Sequence, residues 1–255
     1  MKRLTIAAML LLAGCGGGTP ASNMATPPDA APPANSVAAA PAAPVPARAT
    51  CPEWHPPEDG EDYGLMLESP LPIPADFRDV ASASTTVMTV QGLSGTPVCV
   101  RLGWITEASD FWLSADKRFL GFTRNGYESF GHILVDRSGK GQEIETGEMP
   151  VFSQDRTLFA AAQVDPSGWG GLEGIGVWEV RPSGVTELAR IVKDVPDGEW
   201  EVDEVGPGQC VALSYTARES GDGDKGALSS APYRLSPRDG KWVLERNGAC
   251  AREAG

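Results

Sequence analysis

The stretch WLSADKRFLGF, Trp112 to Phe122, lies over VFSQDRTLFAA, Val151 to Ala161, at an offset of 39 residues. Ser114 matches Ser153, Asp116 matches Asp155, and the apolar pair Phe119-Leu120 matches Leu158-Phe159. In each copy a Ser-x-Asp unit sits between two short apolar runs. Serine and aspartate side chains bond nearby backbone amides and so fold a turn, while the flanking runs are too short for helices. Two strands joined by a tight turn are therefore expected, twice over.

The chain on either side has the same texture. Apolar or β-branched runs fall at 85–90, 98–105, 118–123, 133–135, 158–164, 175–180, 185–191, 200–205, 210–216 and 242–245. Between them lie turns such as Arg137-Ser138-Gly139-Lys140, Pro182-Ser183-Gly184 and Arg238-Asp239-Gly240. In 98–105, Val98, Val100, Leu102 and Trp104 alternate with Cys99, Arg101 and Gly103, the period of a half-buried strand. No run keeps a helical period over three turns, so a mostly β fold is expected. A repeat near 40 residues with a Ser-x-Asp turn feeding an apolar strand resembles WD-type and TolB-type β-propeller blades. The resemblance covers about residues 111–191. It implies antiparallel β-propeller-like blades in a partial or small propeller, with a β-sandwich or an open meander as the alternative.

Working outward, four cysteines remain in the folded part: Cys51, Cys99, Cys210 and Cys250. An even set reads as disulfides if the chain is exported, as its first 15 residues imply. Three connectivities are possible, and local pairing favours Cys51–Cys99 with Cys210–Cys250. No metal or cofactor is expected, since no CxxC occurs and His55 and His132 lie far from any close cysteine pair. The β domain is assigned to 51–255. Its first part, 51–84, is an irregular lead-in rich in proline and acid, and the cluster Glu58, Asp59, Glu61 and Asp62 reads as a solvated turn.

Before the domain, residues 16–50 contain 12 alanines and 8 prolines and no aromatic residue. Such a segment has too little apolar surface to offset the entropy of ordering, so it reads as a disordered tether. Residues 1–15 carry Lys2 and Arg3, then the uncharged apolar run Leu4 to Ala13, and end in Leu12-Ala13-Gly14-Cys15. The run is too short for a spanning helix, which needs roughly 20 residues. The LAGC sequence resembles the lipobox of bacterial lipoproteins. That resemblance implies cleavage before Cys15, acylation of its sulfur and a membrane partner for the lipid. By resemblance to the lipoprotein sorting rules of Gram-negative cells, Gly16 rather than an aspartate after Cys15 favours the outer membrane, at its periplasmic face.

From Cys51 onward, 18 Lys and Arg face 33 Asp and Glu, a net charge of −15. This argues against nucleic acid, whose phosphates require a basic face. Catalytic patterns are sparse. No Gly-x-Ser-x-Gly elbow exists. Ser114-Ala115-Asp116-Lys117 reads Ser-x-x-Lys, but it lacks the companion elements that serine acyl enzymes need. Asp222-Gly223-Asp224-Lys225-Gly226 starts like a calcium loop but has Tyr233 where the closing Glu belongs. The favoured role is a non-catalytic binding or scaffold module for an envelope protein or glycan, with the loop residues Trp169 and Trp54 as candidate contacts. The alternative is an envelope hydrolase assembled from distant residues around His132, with Asp116 or Asp155 taking part.

Overall fold

A computed structural model describes residues 48–55, 67–126, 129–165, 167–168, 170–218 and 229–250. Short apolar runs and tight turns give four antiparallel sheets, each a meander in chain order. The first sheet contains β1 (Ala81–Ala83), β2 (Val87–Gln91) and β3 (Pro97–Arg101). The second contains β4 (Ile105–Leu113), β5 (Phe119–Gly126), β6 (Ser129–Asp136) and β7 (Gln142–Gly147). The third contains β8 (Val151–Phe152), β9 (Leu158–Gln163), β10 (Gly174–Arg181) and β11 (Gly184–Ile191). The fourth contains β12 (Gly198–Gly206), β13 (Cys210–Ala217), β14 (Ser230–Arg238) and β15 (Lys241–Arg246). The fold is mostly β and blade-like.

Strand alternation explains how the sheets stack. Successive side chains point to opposite faces, so Leu120 and Phe122 of β5 lie with Ile133 and Val135 of β6 on one face of the second sheet. They pack with Met88, Val90, Val98 and Val100 of the first sheet. The other face, with Phe119, Leu134 and Ile144, packs with Phe159, Ala161 and Trp178 of the third. Leu158, Ala160, Ile175 and Val177 then meet Trp200, Val202, Val211 and Leu213 of the fourth. This is why β9, Leu-Phe-Ala-Ala-Ala-Gln, is buried along its whole length: it has a core on each side. Each fully buried Val, Leu, Ile or Phe contributes about 1.5–3 kcal/mol against exposure. Among the described residues, no core cluster joins the fourth sheet to the first.

The disulfides are Cys51–Cys99 and Cys210–Cys250, the local pairing. Closing loops of 48 and 40 residues, each is worth about 4 kcal/mol in the chain-entropy account. The first staples the lead-in to β3, where the Cys51 amide also donates to Thr89 Oγ1 at 3.1 Å. Residues just before Cys51 already touch the domain, as Arg48 bonds the Arg78 carbonyl at 3.0 Å and Gln91 donates to the Ala49 carbonyl at 3.0 Å.

Two expectations change. The alternating run 98–105 is not one strand: β3 ends at Arg101, and β4 begins at Ile105. Between them the Leu102 amide bonds the Thr86 carbonyl at 2.9 Å, and Trp104 adopts φ 63°. Alternation of residue type cannot register a backbone that turns at Gly103. Second, the lead-in 51–84 holds regular structure, with a 3-10 turn at Ala75–Phe77 and the strand β1.

Candidate functional site

The repeated turns are built alike. Ser114 Oγ and Asp116 Oδ1 lie 2.5 Å apart, and their counterparts Ser153 and Asp155 2.7 Å. Each aspartate accepts a backbone amide, from Arg118 at 3.1 Å and from Thr157 at 3.0 Å. Each serine oxygen accepts the amide that opens the next strand, from Phe119 at 2.9 Å and Leu158 at 3.0 Å. Lys117 and Arg156 both take positive φ, near 60°. The serine hydroxyls are the main cause holding both carboxyls below the ordinary aspartate value. These groups are occupied in shaping hairpins.

His132 is buried between the second and third sheets, 2 % exposed. Trp112 Nε1–H donates to its Nε2 at 3.0 Å, which assigns the proton to Nδ1. Nδ1–H then donates to Thr146 Oγ1 at 2.9 Å, and the threonine hydroxyl donates to the His132 carbonyl at 3.2 Å. Both ring nitrogens are engaged, neither by Asp116 nor by Asp155. Burial pushes the imidazole pKa down to about 4, because a charged ring would lose water, and the charge of Asp110 offsets this only in part.

A different set of polar groups gathers at the rim between the first and second sheets. There a cleft of about 440 Å³ is lined by Trp54, Arg101, Trp104, Arg124, Glu143 and Glu145, with Cys99 and Gly103 at its edge. Register and disulfide explain the convergence. Arg124 of β5 pairs with Gly131 of β6, and Glu145 and Glu143 of β7 pair with Ile133 and Val135 of β6. All three polar residues therefore share the face that meets the first sheet, at its edge. Arg101 is the last residue of β3, two positions beyond Cys99, and its guanidinium lies 5.7 Å from the centre of the Trp54 ring. Cys51 holds Trp54 there, and the Trp54 amide donates to Thr86 Oγ1 at 3.3 Å.

Arg124 forms an ion pair with Glu145 at 3.0 Å, while its Nε is buried without a hydrogen-bond partner among the described residues. Glu143 is half-buried, and loss of water, reinforced by the charge of Glu145, pushes its pKa up to about 7. Arg124 and Arg101 pull it back in part. Trp104 stands at a left-handed backbone position unusual for a bulky residue. Gly126 permits this, since a Cβ there would lie 1.6 Å from the Trp104 carbonyl oxygen.

A larger cleft, about 760 Å³, lies between the β8–β9 turn and the Pro207–Gln209 turn. Part of its polar lining is already engaged: Ser153 and Thr157 bond Asp155, and Glu179 holds Arg181 at 2.6 Å.

Of the residues singled out from sequence, Trp54 reaches the rim cleft. Cys15, Trp169, the acidic cluster 58–62 and the Asp222 loop lie outside the described residues. Sequence reading missed Arg101, Trp104, Arg124, Glu143 and Glu145. The one signal available was the i, i+2 spacing of Glu143 and Glu145 on a strand, which puts both on one face. Among the described residues no cluster of three metal-ligating side chains occurs. No family model, curated protein or solved structure matches this chain.

Proposed function

We propose that this chain is a bacterial envelope lipoprotein whose β domain is a non-catalytic binding or scaffold module. Cys15 carries the lipid, residues 16–50 form the tether, and the disulfide-stapled domain works at the periplasmic face of the outer membrane. Anchoring is supported by Lys2 and Arg3, the apolar run to Ala13 and the Leu12-Ala13-Gly14-Cys15 motif followed by Gly16. Stable attachment needs two or more acyl chains, which a triacylated cysteine supplies. The blade-like stacking and the paired Ser-x-Asp turns support the resemblance to WD-type and TolB-type blades.

The observation that carries the binding role is the rim cleft, where four chain segments bring together two tryptophans, two arginines and two glutamates. The hydrolytic alternative needs His132 as a base, and its ring nitrogens are held by Trp112 and Thr146. The acidic surplus of the domain favours an envelope protein or glycan over nucleic acid. Crosslinking in intact cells followed by mass spectrometry tests this. The parent should capture an envelope partner, and recovery should fall in Trp54→Ala. Unchanged recovery in both Trp54→Ala and Trp169→Ala would count against the reading.

A further inference from the structure

Resting on that binding role, we propose that the rim cleft is a saccharide site. Trp54 and Trp104 supply its aromatic walls, and Arg101, Arg124, Glu143 and Glu145 supply its hydroxyl partners.

A sugar ring presents apolar C–H faces and a fringe of hydroxyls, each both a donor and an acceptor. A matching site must set aromatic surface beside donors and acceptors in similar number. The cleft does this: guanidinium groups only donate, ionised carboxylates only accept, and it holds two of each. Hydrogen bonds to charged groups are about twice as strong as neutral ones, so a few suffice for an uncharged ligand. At about 440 Å³ the cleft falls within the range of small-molecule sites.

The same census disfavours ionic ligands. Glu145 is already paired with Arg124 at 3.0 Å, so a phosphate finds one unmatched guanidinium charge at most when Glu143 is protonated and none when it is ionised. A quaternary ammonium group prefers an aromatic cage without cations, and two arginines line this one. Glu143 titrates near neutral pH, which lets it meet a sugar hydroxyl as acceptor or as donor.

The site is also pre-built. Trp104 is held at φ 63°, a backbone state costing about 1–3 kcal/mol that persists only where the surroundings enforce it. Trp54 is fixed by the Cys51–Cys99 bridge and the Arg101 contact. Holding both walls in place before binding reduces the ordering entropy lost on association.

The test is calorimetric titration of the full-length protein in detergent with uncharged trisaccharides of glucose, galactose and N-acetylglucosamine, alongside choline and inorganic phosphate. Saturable binding of at least one trisaccharide is expected, weakened at least about tenfold (about 1.4 kcal/mol) by Trp104→Ala and by Glu145→Gln. Arg101→Ala, at an exposed strand end, serves as the variant that leaves the core untouched and should also weaken binding. Choline and phosphate should give no saturable signal. Absence of binding with every trisaccharide, preference for either ion, or parent-like affinity in Arg101→Ala and Trp104→Ala would overturn the proposal. If the sugars fail while an envelope partner is still crosslinked in cells, the saccharide assignment falls and the tethered binding module stands.

Discussion

Ser153 shows how one hydroxyl sets a hairpin. Its oxygen takes the amide of Leu158, a buried strand residue, so Ser153→Ala leaves that donor unsatisfied. The expected loss is about 1–3 kcal/mol in chemical denaturation, and Ser114→Ala should behave alike through Phe119. His132 makes a pH prediction. Its native pKa is about 4 against an ordinary 6.5, so between those values the unfolded chain binds more protons. Stability is full above pH 6.5 and is lost as pH falls through 4, by about 3 kcal/mol in total. Denaturation midpoints at pH 7, 5 and 4 should show the loss, and His132→Gln should flatten it. Glu143 acts in the opposite sense. Its native pKa of about 7 exceeds the ordinary 4.5, so its contribution is present below 4.5 and lost as pH rises through 7. Glu143→Gln should therefore raise the melting temperature at pH 8 and leave it unchanged at pH 4.

At the scale of elements, the β3–β4 junction links fold to cleft. Gly126 ends β5 where a side chain would strike the Trp104 carbonyl. Gly126→Ala should force that turn to move, with a loss of about 1–3 kcal/mol and a changed near-ultraviolet tryptophan signal. Equal stability and an unchanged spectrum would show that the turn tolerates the methyl group. The hairpins were legible in sequence because each rests on local chemistry: Ser114-x-Asp116 and Ser153-x-Asp155 act within five residues of themselves. The strand β4 was harder to see. Thr106, Glu107, Ser109 and Asp110 are polar, leaving only Ala108 to mark a buried face there; the strand also carries two register shifts, and Asp110 takes φ 51°. Of the cleft, only Trp54 as a loop aromatic and the i, i+2 spacing of Glu143 and Glu145 were legible. Arg101, Arg124 and Glu145 come from β3, β5 and β7, and taken one by one they read as ordinary charges on half-exposed strands.

For the molecule as a whole, three stacked cores hold the interior, and two disulfides pin the segments next to the outer sheets. Cys51→Ala with Cys99→Ala should cost up to about 4 kcal/mol and release Trp54 from the rim. Reduced capture of any ligand or partner should follow even where the fold survives. Sequence pattern conveyed the mostly β, hairpin-built class, because short apolar runs and tight turns specify strands, but not how the four sheets stack. It conveyed nothing of which sheet edges meet polar groups, which depends on register. The proposed location rests on the sulfur of Cys15. Mass spectrometry of the mature protein's first peptide is the most direct measurement. The account predicts an acylated Cys15 as the first residue, with Cys15→Ser unprocessed and unlipidated. A free Cys15 thiol within an intact leader would contradict it.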